Sequence, residues 1–412
     1  MNVFILTIHH PEISFGPEMR LQGFLKSEKF KQNVTPIFPK FVYGKQHTKF
    51  DTFMVLVNSI IYITKNRKKI DMIHAVTPPS YIAPIAILAK KLFKIPYIVD
   101  IGDPYAENMA EIKNFSHKSC KFKILKHLDN SLYKNADHLV LTSEGITKYI
   151  SHKIPHTTIL TAILHENQIV ENKNTTTTPP ATTTSPTPNL TTATTTSPTP
   201  NLTTATTTSP TSNNPPINKK CIYLGLYGPL QNFEYILKIF IEAIKKDKEI
   251  TLDIVGQGEK QKCEGLINQC SETDPKIATE IKKNIKFQPP IPKDKIPELL
   301  KNYACGIVSL KLNPNLDYAI PTKLLTYLSY GLPVFGTGGI SSQKLIKNSK
   351  TGYISAKYNI KKDSEKLISL LKNQEKLLNF SKNAEKFAKE NLSIEHAGNE
   401  LLKIYSATLS KI

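Results

Sequence analysis

The segment AIPTKLLTYLSYGLPVFGT, residues 319–337, carries the residues best suited to chemistry. Pro321 fits the first position of a helix and Gly331 fits its end, so the segment predicts a loop, a short helix and a buried strand. The N–H groups and the dipole at a helix N-terminus favour an anion. Lys323 in the first turn adds a positive charge, which is unfavourable for the helix itself. We therefore predict a phosphate site at Pro321, Thr322 and Lys323; a solvated Lys323 without a ligand is the alternative.

Strand-like and helix-like stretches alternate along both halves of the chain, which predicts parallel βαβ units. Strands are predicted at residues 2–8, 72–75, 97–101, 138–141, 158–162, 221–225, 251–255, 285–288, 304–310 and 334–336. Helices are predicted at residues 18–30, 80–93, 121–133, 233–245, 295–302 and in a series from 362 to 409. In such sheets ligands bind where a helix begins beyond the carboxyl end of a strand, and the helix of Lys323 has that position.

Residues 172–216 consist almost entirely of Thr, Ser, Pro, Asn and Ala, and the unit TTATTTSPTPNL occurs nearly intact twice. Such a segment buries too little apolar surface to offset the entropy of ordering it, so we predict a disordered linker. It separates an N-terminal Rossmann-like domain, residues 1–171, from a C-terminal one, residues 217–412. We expect an α/β fold in which the two domains face each other across a cleft.

The charge of the chain limits its partners. The sequence has 412 residues and a formal charge of +20, and its only arginines are Arg20 and Arg67. Proteins that read bases normally use arginine forks, so we do not expect a nucleic-acid partner. The lysine-rich field suits diffuse attraction to phosphates, nucleotides or an anionic membrane surface; a genomic bias toward lysine is the alternative.

Cysteine spacing and apolar runs indicate the compartment. The five cysteines, at positions 120, 221, 263, 270 and 305, form no C-x-x-C and no paired metal spacing, so we expect reduced thiols and no metal site. No apolar run reaches the roughly 18 residues that span a bilayer. The start, MNVFILTI, indicates a buried strand rather than a signal peptide. These features predict a cytoplasmic protein.

A series of motifs in both halves resembles the retaining glycosyltransferases of GT-B fold, glycosyltransferase family 4 (group 1). The motifs are ILTIHHPEISFG, IDMIHAVTPPS, PYIVDIGDP, NADHLVLTSEGITKYI, CIYLGLYG, LDIVGQGE, AIPTKLLTYLSYGLPVFGT and KTGYI, in that order. The resemblance implies transfer of a sugar from a nucleotide diphosphate sugar to a hydroxyl acceptor, such as a lipid-linked glycan or a polysaccharide precursor. It also implies that the C-terminal domain binds most of the donor, that the N-terminal domain faces the acceptor, and that no cofactor is needed.

The same resemblance assigns contacts to the donor. The helix N-terminus at residues 321–323 receives the diphosphate. Gly16, Gly225 and Gly228 lie in loops whose backbone approaches the donor, and a plain turn is the alternative for Gly16. Residues 287–291 lie where the family holds the base through backbone groups, so the base itself is not specified.

The chain departs from the family at two acidic positions. Members usually carry two glutamates where Tyr318 and Thr326 stand here. The Thr326 hydroxyl can still reach a ribose or sugar oxygen, but it supplies no charge. Either Lys323 carries more of the diphosphate neutralisation than is usual, or the donor site is weakened. The alternative function is therefore a catalytically silent protein that binds sugar nucleotides or acts as a scaffold. A sugar-nucleotide epimerase of similar fold would need carboxylates or histidines on the second domain, and we find no convincing set.

Candidate acceptor-side residues lie in the first half. Asp100 and Asp103 end a predicted strand where the family places catalytic or substrate-positioning polar residues; a loop or helix-capping role is the alternative. His10 and Arg20 are candidate contacts to the acceptor or to a phosphate. Their alternatives are a structural histidine and a surface or interdomain ion pair.

Residues 113–126, KNFSHKSCKFKILK, combine five lysines with apolar side chains. Such a basic amphipathic surface can lie on an anionic membrane and bring the cleft to a lipid-linked acceptor. The protein would then associate with a membrane from the cytoplasmic side. The alternative is a helix that packs its apolar stripe on the sheet and exposes its lysines.

Overall fold

The computed structural model describes residues 1–8, 17–40, 48–76, 78–161, 218–273 and 275–411. These residues form two parallel six-stranded sheets with helices packed on both faces. The predicted α/β architecture of two Rossmann-like domains is confirmed. The predicted linker, residues 172–216, lies outside the described residues.

The N-terminal sheet has the strand order β2-β1-β3-β4-β5-β6. Its strands are β1 (Asn2–Leu6), β2 (Thr35–Ile37), β3 (Met72–Val76), β4 (Tyr97–Ile101), β5 (His138–Leu141) and β6 (His156–Thr158). Its helices are α1 (Pro17–Lys26), α2 (Glu28–Asn33), α3 (Lys49–Asn66), α4 (Pro79–Phe93), α5 (Tyr105–Lys113) and α6 (Cys120–Asn135). Helices α3, α4 and α6 share one core with the sheet, and α1 and α2 share the core on its other face.

The C-terminal sheet has the strand order β12-β11-β10-β7-β8-β9. Its strands are β7 (Lys220–Leu224), β8 (Thr251–Val255), β9 (Ile285–Gln288), β10 (Cys305–Val308), β11 (Val334–Thr337) and β12 (Gly352–Ser355). The helices that follow are α7 (Phe233–Lys246), α8 (Lys260–Thr273), α9 (Pro275–Asn284), α10 (Ile296–Leu300), α11 (Thr322–Ser329), α12 (Ile340–Ser349), α13 (Ile360–Lys372), α14 (Gln374–Asn391) and α15 (Ile394–Leu409). The two sheets thus repeat one βαβ scheme.

The last helix crosses to the other domain. Ile394, Leu401 and Tyr405 of α15 are buried in the same cluster as Leu21 of α1 and Phe30 of α2. The predicted C-terminal domain, residues 217–412, therefore contributes its final helix to the N-terminal core. The helical spacing of the apolar residues in α15 predicts a buried face, but it does not identify the surface that buries that face.

Two further features differ from the sequence-based expectation. The helix predicted over residues 18–30 is interrupted at Ser27, whose Oγ accepts a hydrogen bond from the Phe30 N–H at 3.3 Å and begins α2. The short edge strands β2 and β12 and the helices α3, α5, α8, α9 and α12 were not predicted. In the described part of the chain, no helix is both long and apolar enough to cross a bilayer.

A buried ion pair ties α1 to the N-terminal sheet. Arg20 and Asp100 are each 2% exposed, and Arg20 Nε lies 2.7 Å from Asp100 Oδ1. The guanidinium also donates to the Ile159 carbonyl. On the other side of Asp100, His74 Nδ1 lies 2.8 Å from the Tyr405 hydroxyl of α15. Burial lowers the pKa of His74 to about 4, so this ring is neutral at pH 7.

We expect Asp100→Ala to destabilise the protein by about 3–5 kcal/mol, because Arg20 would keep a buried charge without a partner. The double variant Arg20→Met/Asp100→Leu removes both charges and should lose less stability than the single variant. Urea unfolding of the three proteins measures both effects. Equal, small losses in the two variants would contradict the assignment.

Candidate functional site

Tyr327 joins helix α11 to the sheet by hydrogen bonds, in addition to the apolar packing of the helix. The Tyr327 hydroxyl accepts a hydrogen bond from the Leu224 N–H of β7 at 2.8 Å and lies 3.3 Å from the Ile222 and Ile307 carbonyls. Its ring packs on Gly306, where an added Cβ would come within 2.4 Å of the ring. The start of α11 is therefore held at the carboxyl ends of β7 and β10, where ligands of parallel sheets bind.

Lys323 in the first turn of α11 points back to the loop after β7. Its Nζ lies 3.6 Å from the centre of the Tyr223 ring and donates to the Leu226 carbonyl at 3.2 Å. Within the described residues, no carboxylate lies within ion-pair distance of this ammonium group. The ammonium group thus has a π face and one carbonyl as partners, and no opposite charge.

The electrostatics of Lys323 follow from that environment. Burial lowers the pKa of Lys323 to about 7, because the surrounding protein removes water without supplying an anion. The Lys323 amine is partly deprotonated at pH 7 and lies at a helix N-terminus, so an anionic ligand would be bound favourably there. Binding of an anion would restore its full charge.

Two glycines allow the strand ends around Lys323 to approach each other. Gly225 has φ of +97°, a conformation that residues with a side chain rarely adopt. Gly256 packs against it so closely that an added Cβ would come within 2.0 Å of the Gly225 carbonyl oxygen. The loops after β7 and β8 thereby present bare backbone beside the ammonium group.

A cavity of about 560 Å³ opens at this point between the two domains. The C-terminal domain lines it with both glycines, Thr322, Lys323, Thr326 and the Pro290–Ile291 stretch, among other residues. Helix α1 of the N-terminal domain supplies Gln22, Gly23 and Lys26. The cavity therefore combines backbone groups and hydroxyls of the C-terminal domain with lysines from both sides of the cleft.

The contribution of α1 was not predicted. Gln22 and Lys26 lie four residues apart and so share a helix face, which is a weak signal in any lysine-rich sequence. Their approach to Lys323 depends on the packing of the two domains. Gln257, Tyr330 and Ile394, which also line the cavity, carry no recognisable sequence signal either.

Several predicted donor residues can now be located. Pro321 is the N-cap of α11 rather than its first residue, and α11 ends at Ser329, shortly before Gly331. Thr326 lines the cavity, while its hydroxyl donates to the Thr322 carbonyl at 3.0 Å. Gly228 is not among the described residues that line this cavity, and its N–H donates to Gln231 Oε1 at 3.0 Å. Gly16 and His10 lie outside the described residues.

The buried ion pair changes the interpretation of two acceptor-side candidates. Arg20 was expected to contact the acceptor or a phosphate, or to form a surface or interdomain pair. It instead forms a buried pair inside the N-terminal domain. The same contact occupies Asp100, which is not among the described residues that line the cavity. Both residues face the packed side of the sheet because α1 covers the end of β4.

Asp103 lies at the boundary between the domains. Its carboxylate accepts a hydrogen bond from the Asn108 side chain at 3.4 Å. The surrounding protein raises the pKa of Asp103, and the nearby Tyr318 of the C-terminal domain partly offsets that rise. The Tyr318 ring is buried in the N-terminal core, and the Ser143 hydroxyl donates to the Tyr318 carbonyl at 2.5 Å. Asp103 is not among the described residues that line the cavity beside Lys323.

The loop that precedes α11 is attached to the N-terminal domain by further hydrogen bonds. Asn313 and Asn315 donate to the two carboxylate oxygens of Glu111 at 2.9 and 2.6 Å. The Lys148 ammonium donates to the Pro314 carbonyl at 3.0 Å. The segment that leads to Lys323 is therefore shared by both domains.

Comparison with known proteins identifies a family that part of the chain resembles. Residues 206–387 match the family model described as glycosyl transferases group 1. No curated protein matches the sequence.

Solved structures with the same fold are glycosyltransferases of low sequence identity. Sucrose-phosphate synthase from Thermosynechococcus elongatus is 9% identical with a TM-score of 0.65, and 100% of this chain and 99% of that chain are covered. A glycosyltransferase from Rickettsia africae is 14% identical with a TM-score of 0.64, over 100% of this chain and 99% of that one. HepE from Anabaena, solved with UDP and glucose, is 10% identical with a TM-score of 0.62, over 99% and 100%.

The predicted fold and family are both confirmed. The fold agrees with these structures over essentially the whole chain, and the family model covers most of the C-terminal domain, including α11 and Lys323. The chain is therefore a glycosyltransferase of GT-B fold, and residues 206–387 match the glycosyl transferases of group 1.

Proposed function

We propose that the enzyme transfers a sugar from a nucleotide diphosphate sugar to a hydroxyl acceptor, with retention of anomeric configuration, and that Lys323 neutralises the departing diphosphate. The observation that carries this proposal is the half-buried Lys323 ammonium group at the start of α11, which has no acidic partner among the residues that the structure describes. Charge develops on the diphosphate as the sugar–phosphate bond breaks. A fixed cation and helix N–H groups stabilise that charge most effectively where water is excluded.

The donor lies along the cavity in this proposal. Its diphosphate rests between the α11 N-terminus and the bare backbone of Gly225 and Gly256, and its base lies toward the Pro290–Ile291 stretch. The Thr326 hydroxyl contacts a ribose or sugar oxygen. HepE, which shares the fold, was solved with UDP and with glucose, and this supports a nucleotide sugar as the donor.

The acceptor side of the proposal rests on the N-terminal domain. Asp103, at the interdomain boundary, orients the acceptor hydroxyl or the donor sugar, and its raised pKa suits a group that exchanges a proton. Asp100 anchors α1 through its ion pair with Arg20, and α1 in turn lines the cavity. The acceptor is a lipid-linked glycan or polysaccharide precursor, which the basic segment at residues 113–126 helps to approach on the cytoplasmic face of a membrane.

We expect Lys323→Met to lower kcat/KM by about 100-fold or more, because the variant loses the charge that stabilises the leaving diphosphate. A nucleotide-release assay with a panel of UDP and GDP sugars, supplied with a membrane lipid extract as the source of acceptor, measures the loss. The control is Lys282→Met, which removes an exposed lysine of α9 outside the cavity. Donor binding without release in the wild type, under every acceptor condition, would reject the transferase proposal.

The low pKa of Lys323 gives a second prediction. Because the free enzyme loses the Lys323 proton near pH 7 and the diphosphate needs the charged form, donor binding should take up a proton. The affinity for the nucleotide sugar should not depend on pH below about pH 7, and it should fall by up to about tenfold per pH unit above that value. Calorimetric titration with a nucleotide sugar, in buffers of different ionisation enthalpy, measures both effects. The same dependence in Lys323→Met would assign it to another group.

A further inference from the structure

The outer face of α3 and α4 carries apolar side chains that nothing in the described structure covers. Phe50, Phe53, Ile60 and Ile61 on α3, and Leu88 and Leu92 on α4, are each between 46% and 68% exposed. The two helices lie side by side on one face of the N-terminal sheet, in one shared core. We call these six residues the apolar face.

The spacing of these residues produces continuous stripes. Phe50, Phe53, Ile60 and Ile61 follow an i, i+3, i+10, i+11 pattern, and Leu88 and Leu92 are four residues apart, so each set shares one helix side. The opposite sides of both helices are buried, through Val55, Ile63 and other core residues. Helices α3 and α4 are thus apolar on two sides, whereas a helix of a water-exposed surface is polar on its outer side.

The charged side chains around the apolar face are mainly basic. Within the two helices Asp51 is the single acidic residue, and it is engaged in the capping box of α3 with Thr48. The carboxyl ends of α3 and α4 adjoin, because the Arg67 guanidinium lies 5.7 Å from the centre of the Phe93 ring. Exposed basic residues gather there, namely Arg67, Lys68, Lys69, Lys91 and Lys94.

We propose that the apolar face of α3 and α4 docks on an anionic lipid bilayer. The outward aliphatic and aromatic side chains enter the boundary between headgroups and acyl chains. The basic residues at the helix ends contact anionic headgroups, and each such lysine or arginine adds a favourable electrostatic interaction. An acidic protein would satisfy the lysines, but two parallel helices with an apolar ridge on each suit a planar lipid surface better than a protein groove. Docking on a membrane would bring the enzyme to a lipid-linked acceptor, so this proposal rests on the proposed function.

The position of the face suits delivery of such an acceptor. Helices α3 and α4 begin at the carboxyl edge of the N-terminal sheet, after β2 and β3, and this is the edge that faces the cleft. Phe50 and Phe53 lie in the first turns of α3, nearest that edge. On its other side, α4 packs beside α6, whose Ile124 is exposed, so the face continues into the basic segment at residues 113–126.

The test is co-sedimentation of the full chain with vesicles of phosphatidylglycerol and phosphatidylethanolamine, compared with phosphatidylcholine alone. The variant is Phe53→Ser/Leu88→Ser, with side chains 58% and 52% exposed. The matched control is Ile340→Ser/Leu378→Ser on the C-terminal domain, where the exposures are 48% and 46%. We expect wild type and control to bind the anionic vesicles, and the variant to bind them about tenfold or more weakly.

Three results would overturn the inference. These are the absence of wild-type binding to the anionic vesicles, equal losses in the variant and the control, and a loss seen only in Lys121→Ser/Lys123→Ser, which would assign the contact to the basic segment alone. Dissociation of a wild-type dimer by Phe53→Ser/Leu88→Ser in sedimentation velocity without vesicles would instead assign the face to a second copy of the chain.

A separate readout keeps this inference distinct from the proposed function. Phe53→Ser/Leu88→Ser should bind a nucleotide sugar as the wild type does, since neither residue lines the cavity. Loss of vesicle binding with intact donor binding supports docking. Vesicle binding by a wild type that releases no nucleotide from any donor would reject the transferase proposal and leave the docking surface established.

Discussion

The site depends on the positive charge of Lys323, beside which the described part of the chain places no carboxylate. The Lys323 ammonium group is packed between the Tyr223 ring and the Leu226 carbonyl, and the loss of surrounding water lowers its pKa. Lys323 stays in this position because Tyr327 holds α11 against the sheet, by a hydrogen bond to the backbone of β7 and by packing on Gly306. An anionic donor is the natural counterpart of such an arrangement, because it supplies the missing charge.

The same site is assembled from both domains. Helix α1 lines the cavity with Gln22 and Lys26, and Arg20 on the same helix is buried against Asp100 at the end of β4. The loop before α11 is hydrogen-bonded to Glu111, and α15 completes the N-terminal core. Any relative movement of the domains must therefore shift the residues that line the cavity.

The two faces of the N-terminal sheet have different tasks. Helices α1 and α2 are covered by α15, so that face is sealed within the molecule. Helices α3 and α4 cover the other face and leave an apolar, basic-edged surface outward. One face of the N-terminal sheet is therefore enclosed within the molecule, and the helices on its other face are open to a partner.

The sequence by itself determined the βαβ alternation, most central strands and the helix of Lys323. These features follow from the local periodicity of apolar residues and from the helix start and stop signals at Pro321 and Gly331, which act within a few residues. Sequence reasoning failed for the short edge strands β2 and β12, since few residues and little alternation mark an edge. It also placed Arg20 and Asp100 at the cleft, because a strand end gives no sign of a helix packed over it.

Only the tertiary structure decided how distant segments meet. The approach of Gln22 and Lys26 to Lys323, the insertion of Tyr318 beside Asp103 and the crossing of α15 all join residues far apart in the chain. The low pKa of Lys323 has the same origin, because desolvation depends on every neighbour that excludes water. Local sequence fixes which groups are present, whereas the free energy of packing fixes which of them share a site and how they ionise there.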